Sequence, residues 1–216
     1  MTVTALVVAK APVPGLAKTR LAATIGDAAA AELAAASLLD TLDAVSAADV
    51  DRRVVALTGT LADAARADEL TLVLASFTVI AQRGDGLGER LANAHADAAT
   101  TGAVLQIGMD TPQVTAQLLS DAAAYLGTSD VLGSAEDGGW WALGLRNPAL
   151  ARSLLDVPMS APSTGTDTFD ALAAAGASIT MLPELRDVDF EADLEAVAQL
   201  CAPTSRFRIA VRQMGN

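Results

Sequence analysis

The chain is expected to fold as an α/β protein, with a mostly parallel sheet covered by helices on both faces. Short apolar runs of strand length alternate along its 216 residues with Ala-rich segments of helical length, the pattern of repeated β–α units. Hydrophobic residues make up 52% and aromatic residues only 3%, so the core is built from Ala, Leu and Val. A chain of this length can bury such a core and still present a cleft.

In order, the apolar runs predict strands at 5–9, 54–58, 78–81, 104–107, 130–133, 141–145 and 178–182. The intervening segments predict helices at 27–44, 62–67, 87–98, 115–126, 166–175 and 191–200. Asp27 and Thr115 stand where helix N-caps belong, and Gly127 and Gly176 where helices stop. No repeat or linker divides the sequence, so residues 1–216 are expected to form one domain. The stretch 158–165, rich in Pro, Ser, Thr and Gly, is the expected mobile loop. Beyond Pro203, Phe207, Ile209 and Val211 alternate, which predicts an edge strand covering the sheet; a dimerisation arm, and so a homodimer, is the alternative.

Charge and composition exclude several classes. Fourteen Lys and Arg against 26 Asp and Glu leave a net charge of -12, a field that repels nucleic acid and anionic membranes. The single cysteine, Cys201, excludes an internal disulfide, and the single histidine, His95, excludes a multi-histidine zinc site. His95 falls in a predicted helix and is expected to be structural. The apolar run 3–9 ends at Lys10 and follows no positive segment, so it is expected as a buried strand rather than a signal peptide, with a cytoplasmic location as the default.

The chemistry starts in the first loop, Lys10-Ala-Pro-Val-Pro-Gly15-Leu-Ala-Lys18-Thr19-Arg20. The chain has only two lysines, and both lie here. A lysine is a compact point charge suited to phosphate oxygens, and Gly15 lets backbone approach a ligand closely. Lys18 is expected as an exposed loop residue whose loss leaves the fold intact. The loop is no P-loop, because Ala17 replaces the second glycine and the spacing is short. The run Gln82-Arg83-Gly84-Asp85-Gly86-Leu87-Gly88-Glu89 misses the dinucleotide fingerprint by one position. It still offers a helix N-terminus to an anionic or carbonyl ligand.

Carboxylates recur at predicted strand ends. Asp110 follows the run 104–107 and is placed to hold Mg²⁺ or Mn²⁺. Asp187 and Asp189 would share one face of an extended strand, again suited to a metal. Glu136 and Asp137 are adjacent, followed by Gly138, Gly139, Trp140 and Trp141, the last two being the only tryptophans. Neighbouring carboxylates repel unless a cation or a substrate hydroxyl uses them. Tryptophan can stack on a sugar or base while the glycines clear space.

Taken in order, the 10–21 loop, the Gly-Asp-x-Leu-Gly-Glu-Arg run, Ile-Gly-x-Asp-x-Pro and Ala-Glu-Asp-Gly-Gly resemble a bacterial GT-A-like family of nucleotide-diphospho-sugar transferases, some members of which are attached to arsenosugar biosynthesis. The resemblance spans residues 3 to about 200. It is more distantly similar to 2-phospholactate and molybdenum cofactor guanylyltransferases. It implies a three-layer α/β/α GT-A fold and binding of nucleotide phosphates by Lys10, Lys18 and Arg20; Gly15, Thr19, Gln82, Gly84, Asp85 and Gly88, in the same two loops, are the further candidates for nucleotide or phosphate binding. It implies a divalent ion on Asp110, with Asp187 or Asp189 as second ligand, and an acceptor facing Glu136 and Asp137; Gly138, Gly139 and Trp140, beside them, complete the candidate acceptor site. Three positions depart from the family: Gly86 for Asp, Trp140-Trp141 for Tyr-Tyr, and Phe190-Glu-Ala for Thr-Pro-Glu.

The expected activity is metal-dependent glycosyl transfer from a nucleotide-diphosphate sugar to a small-molecule acceptor. Lys18 with Arg20 would neutralise the departing diphosphate, and Asp137 or Glu136 would be the base. The alternative is nucleotidyl transfer from an NTP to a phosphorylated metabolite, releasing pyrophosphate. A non-catalytic nucleotide-binding module is the third possibility.

Overall fold

The computed structural model describes residues 1–99 and 102–214. Seven strands, β1 (Val3–Lys10), β2 (Arg52–Thr58), β3 (Thr78–Ala81), β4 (Ala103–Ile107), β5 (Asp130–Ala135), β6 (Trp140–Leu145) and β7 (Ile179–Leu185), form one sheet in the order β3-β2-β1-β4-β6-β5-β7. Among the described residues only β6 runs antiparallel, to both β4 and β5; the other pairings are parallel. Each predicted strand is present, to within a few residues at its ends.

The helices are α1 (Thr19–Ile25), α2 (Asp27–Ala47), α3 (Ala67–Leu74), α4 (Leu87–Ala98), α5 (Ala116–Tyr125), α6 (Thr164–Ala174), α7 (Glu191–Leu200) and α8 (Arg206–Met214), with a 3-10 helix at Pro148–Asp156. Alternation along the strands assigns the two faces. In β1, Val3, Ala5, Val7 and Ala9 join Leu38, Leu39 and Leu42 of α2, Leu70 of α3 and Leu119 of α5. Leu6 points the other way, to Ala94 and Ala98 of α4, while Leu132, Leu143 and Leu145 of β5 and β6 meet Leu91 of α4, Leu154 of the 3-10 helix and Leu172 of α6. The result is three layers, α/β/α. No helix among the described residues is long and apolar enough to cross a membrane.

Thr115 caps α5, its side chain accepting from Leu118 N–H at 3.1 Å. Gly176 follows α6 at φ 92°, a left-handed conformation that suits glycine after a helix. Asp27 is the first helical residue of α2 rather than its cap, which is Gly26.

Three expectations need correction. The helix predicted at 62–67 begins at Ala67 instead. Arg66 is left-handed (φ 52°), Asp68 and Glu69 occupy the favourable first turn, and Leu70 and Leu74 are buried one turn apart. The expected edge strand beyond Pro203 is helix α8: Phe207, Ala210 and Val211 are buried at helical spacing, whereas Ile209 is 40% exposed. Asp40 of α2 anchors its start by accepting from the N–H groups of Arg206 and Phe207 at 3.0 and 2.9 Å. Finally, the stretch 158–165 is not loop throughout, since α6 begins at Thr164.

Candidate functional site

Four loops converge at the carboxyl ends of the parallel strands, next to the point where strand order reverses between β1 and β4. They follow β1, β4, β5 and β7. Open α/β sheets hold ligands at this position.

The loop after β1 is a pair of tight turns. Val13 N–H donates to Ala11 O, and Leu16 and Ala17 N–H both donate to Val13 O. Gly15 adopts φ 76°, and Lys10 Nζ reaches across to Leu16 O at 2.7 Å, so Lys10 fastens the loop. Lys18 is itself left-handed (φ 47°), a conformation that costs a non-glycine residue about 1–2 kcal/mol. Ion pairing offsets that cost. Its ammonium lies 2.9 Å from Asp110 Oδ1 and 2.9 Å from Asp189 Oδ1, with 11% of the side chain exposed. Lys18 is therefore not the exposed loop lysine that the sequence suggested. Burial works against its charge, but the two carboxylates outweigh burial and raise its pKa above the ordinary value. Thr19, exposed, is the first residue of α1. Arg20 Nη1 donates to Asp189 Oδ2 at 3.0 Å, and its guanidinium sits over the Phe190 ring, 5.9 Å from the centroid.

The carboxylate side is held by backbone. Ser37 Oγ of α2 donates to Met109 O at 2.6 Å; Val188 N–H donates to Asp110 O, and Gly108 N–H to Trp141 O. Asp193 accepts from the N–H groups of Asp189 and Phe190 at 3.1 and 2.8 Å. That closes the start of α7 and orients Asp189, despite the Phe-Glu-Ala departure at 190–192. Asp137, Asp187 and Asp189 each offer an oxygen within 4.8 Å of the others. Burial first, then the Asp137 and Asp189 carboxylates, push the Asp187 pKa up to about 6. For Asp189 burial acts the same way, but Lys18 and Arg20 overcome it and hold the carboxyl below its usual range.

The acidic turn separates its two carboxylates. Asp137 faces the cleft, its Oδ1 accepting from Gly139 N–H at 2.7 Å. Glu136 lies outside the cleft and accepts from Arg186 Nε at 2.6 Å. Gly138 (φ 89°) could carry no side chain, because a Cβ there would overlap the Pro162 carbonyl. Gly165 N–H donates to Gly138 O at 2.8 Å, so the two glycines let the 161–165 segment lie against the turn. Trp140 is half-buried in the cleft wall. Trp141 is a core residue, its ring packed on Gly133 and its Nε1 donating to Pro183 O at 3.0 Å.

Two adjoining cavities share Asp110 and Asp189. One, of about 470 Å³, is lined by Lys10, Lys18, Thr19 and Arg20. The other, of about 290 Å³, is lined by Asp137, Asp187, Trp140 and Gln106. Gln82, Gly84, Asp85 and Gly88 line neither. Gln82 spends its amide N–H groups on Ala9 O and Ala56 O, both at 2.8 Å. Gly84 folds against Glu89, which accepts from Asp85 N–H at 2.9 Å. Gly88 lets α4 touch the Leu154 carbonyl. Sequence reasoning missed Gln106 and Thr111, each 2% exposed yet lining the smaller cavity. A glutamine inside the apolar strand Ala103–Ile107 was the available signal.

Among solved structures, the chain is similar to a protein of Desulfovibrio desulfuricans G20 provisionally described as a nucleotide-diphospho-sugar transferase, at TM-score 0.82 and 23% identity over 99% of each chain. It is also similar to CMP-2-keto-3-deoxy-manno-octonic acid synthetase complexed with CTP, at TM-score 0.57 and 12% identity over 91% of this chain and 97% of the other. The Rv0371c protein of Mycobacterium tuberculosis H37Rv, in complex with manganese, gives TM-score 0.54 and 17% identity over 91% and 98%. These likenesses establish the nucleotide-diphospho-sugar transferase fold. No protein with a curated description matches the sequence. The model of one bacterial family matches residues 41–161, more than half of the chain, and the protein belongs to that family, "Uncharacterized protein conserved in bacteria (DUF2064)".

Proposed function

We propose that the protein is a metal-dependent glycosyltransferase that takes a nucleotide-diphosphate sugar as donor and a small molecule as acceptor. The observation that carries this reading is the meeting of Lys18 and Arg20 with Asp110 and Asp189 at the strand-order reversal. A diphosphate needs cations and a divalent ion together, and the loops after β1, β4 and β7 supply both kinds of group within ion-pairing distance.

The acidic residues fit Mg²⁺ or Mn²⁺. Asp137, Asp187 and Asp189 present three hard oxygens close together, the donor chemistry these ions prefer over the sulfur and imidazole ligands of zinc. Asp110 adds a fourth carboxylate beside them. A divalent ion held there would supply Lewis acidity and charge neutralisation to the diphosphate. Lys18, Thr19 and Arg20 bind the phosphates from the other side, in the larger cavity, where Lys10 and Gly15 shape the loop. Lys18 and Arg20 act most strongly as negative charge grows on the departing diphosphate, and so favour the transition state over the ground state. Asp137, oriented by its bond to Gly139 N–H, is the residue placed to take a proton from an acceptor hydroxyl in the smaller cavity.

The fold likeness to a CTP-bound synthetase supports a second reading, nucleotidyl transfer from an NTP to a phosphorylated metabolite. Product analysis separates the two. Wild-type protein is incubated with Mn²⁺ and matched mixtures of NDP-sugars or NTPs. Slow, Mn²⁺-dependent release of free sugar supports glycosyl transfer. Pyrophosphate release that depends on an added phosphorylated acceptor would overturn it.

A further inference from the structure

We infer that Ser160 is a donor-binding residue, its hydroxyl donating a hydrogen bond to the sugar-linked phosphate where the two cavities meet. The inference rests on the transferase reading above and adds a residue to its site. Backbone conformation, position and an unused hydroxyl carry it together.

Among the described residues three other than glycine are left-handed: Lys18 (φ 47°), Arg66 (φ 52°) and Ser160 (φ 59°). A Cβ makes that conformation costly, and it persists only where other contacts hold it. Two of the three are held by their own side chains. Lys18 pairs with Asp110 and Asp189 at 2.9 Å each, and Arg66 pairs with Glu32 at 2.6 Å and Glu69 at 3.5 Å. Ser160 differs: it is exposed, and among the described residues its hydroxyl has no hydrogen-bond partner. Its neighbours hold it instead. The buried Thr164 hydroxyl spans the turn at 158–161, accepting from Ala161 N–H at 3.0 Å and donating to Pro158 O at 2.8 Å. Gly165 N–H, donating to Gly138 O at 2.8 Å, ties the same segment to the Asp137 turn. A turn position with positive φ ordinarily belongs to glycine or asparagine. Here the surrounding bonds keep a serine in it, with its hydroxyl unused.

The place of that hydroxyl gives it a use. Met109, Asp110, Ser160 and Asp189 each line both cavities. The two aspartates, when ionised, only accept hydrogen bonds, and a cation is their complement. The Met109 sulfur already accepts from Lys10 N–H at 3.2 Å. Of these four, Ser160 alone has a side-chain donor to offer. On the proposed reading the diphosphate lies in the larger cavity, beside Lys18 and Arg20, and the acceptor in the smaller. The phosphate at the boundary is then the one that carries the sugar, the β-phosphate. Its oxygens are acceptors and gain charge as the sugar departs, so a hydroxyl fixed at the boundary complements them with a directed bond.

The test is calorimetry on the full chain with Mn²⁺, using UDP, GDP and CDP and the corresponding monophosphates. Ser160→Ala removes the hydroxyl and keeps the Cβ; Ser160→Gly removes both, and should melt at least as high as Ser160→Ala. Both variants should bind the preferred diphosphate about tenfold more weakly than wild type, a difference of ~1.4 kcal/mol. Their affinity for the monophosphate, and for Mn²⁺ alone, should not change. Ser160→Asn, which tolerates the left-handed conformation and carries an N–H donor, should recover most of the loss. A role confined to backbone shape would spare Ser160→Ala and show in Ser160→Gly, and that result overturns the inference. An equal loss with monophosphate and diphosphate also overturns it, by moving the contact to the α-phosphate, as nucleotidyl transfer would require. Diphosphate binding that Ser160→Ala leaves intact removes Ser160 alone from the site. Failure of wild-type protein to bind any of the six nucleotides sinks the transferase reading, and the inference with it.

Discussion

Replacing Lys18 by alanine removes the cation that holds the loops after β1, β4 and β7 together. Each ion pair at 2.9 Å places opposite charges roughly 4 Å apart, worth ~4 kcal/mol at an effective dielectric near 20, before the cost of taking the ammonium out of water. That cost is large here, because only 11% of the Lys18 side chain is exposed. The partners are wetter, at 41% for Asp110 and 26% for Asp189, and regain hydration once the lysine is gone. The net loss should therefore fall between the ~0–1 kcal/mol of exposed pairs and the ~3–5 kcal/mol of broken buried ones, at about 2 kcal/mol. For a chain of this size that corresponds to a fall of roughly 4–8 °C in melting temperature. The same substitution frees two carboxylates from a competing positive charge, so Mn²⁺ should bind the variant about tenfold more tightly, a gain of ~1.4 kcal/mol, and restore part of its stability by mass action. Nucleotide-diphosphate affinity should fall at the same time. Thermal melts and calorimetry with and without Mn²⁺ measure all three quantities. A variant as stable as wild type, with unchanged Mn²⁺ affinity, would show that Lys18 neither clamps the site nor stands in for its cation.

Gly88→Ala should destabilise by about 1–3 kcal/mol in chemical denaturation, because the new methyl meets the Leu154 carbonyl; on helix propensity alone it would stabilise by ~1 kcal/mol. Phe207→Ala, at a fully buried position of α8, should cost about 3–5 kcal/mol, whereas an edge strand would tolerate it in an unfolding curve. His95, buried with its pKa lowered to about 4, first by desolvation and against the influence of Gln106, binds fewer protons folded than unfolded. Its contribution is complete above pH 6.5 and drains away as pH falls toward 4, by about 3 kcal/mol in all; His95→Phe should flatten this slope relative to wild type in denaturation series at successive pH values. Asp137→Asn should lower transfer by about 10²–10⁴ while leaving donor affinity within a few-fold, if it is the base; parallel loss of Mn²⁺ binding in calorimetry would make it a metal ligand instead.

The sheet was legible because its signals are local. Runs such as Val3–Lys10 and Ala103–Ile107 are apolar on both faces, as strands buried between two helix layers must be. The helices that escaped notice depend on partners distant in sequence. Helix α8 owes its start to Asp40, far back in α2, and Arg206 also reaches Asp43 and Glu69. Nothing near residue 206 announces those contacts, and Phe207, Ile209 and Val211 happen to alternate. Helix α1 is only seven residues long and follows a left-handed lysine with no side-chain cap, so neither periodicity nor capping marks it.

For the site, residue types were legible and pairings were not. The sequence drew attention to Lys18, Arg20, Asp110, Asp187 and Asp189 by chemistry, and the structure brings these five into one contiguous network of ion pairs and neighbouring carboxylates. It treated Glu136 and Asp137 as equivalent, since neighbours in a turn share every local signal. Geometry distinguishes them: Arg186 holds Glu136 away, while Asp137 joins Asp187 and Asp189. Asp137 thereby has two incompatible duties open to it. A carboxylate committed to a divalent ion is a poor proton acceptor, because the ion withdraws the electron pair the proton would use. Asp110 lines the same cavity beside Asp187 and Asp189 and is ion-paired to Lys18 at 2.9 Å. On the proposed reading, a donor diphosphate that drew Lys18 away would free Asp110 to join the metal ligands and leave Asp137 to serve the acceptor. On this account Asp110→Asn should weaken Mn²⁺ binding more in the presence of nucleotide diphosphate than in its absence. An equal loss under both conditions would leave Asp137 as the standing ligand and remove it from the chemistry of proton transfer.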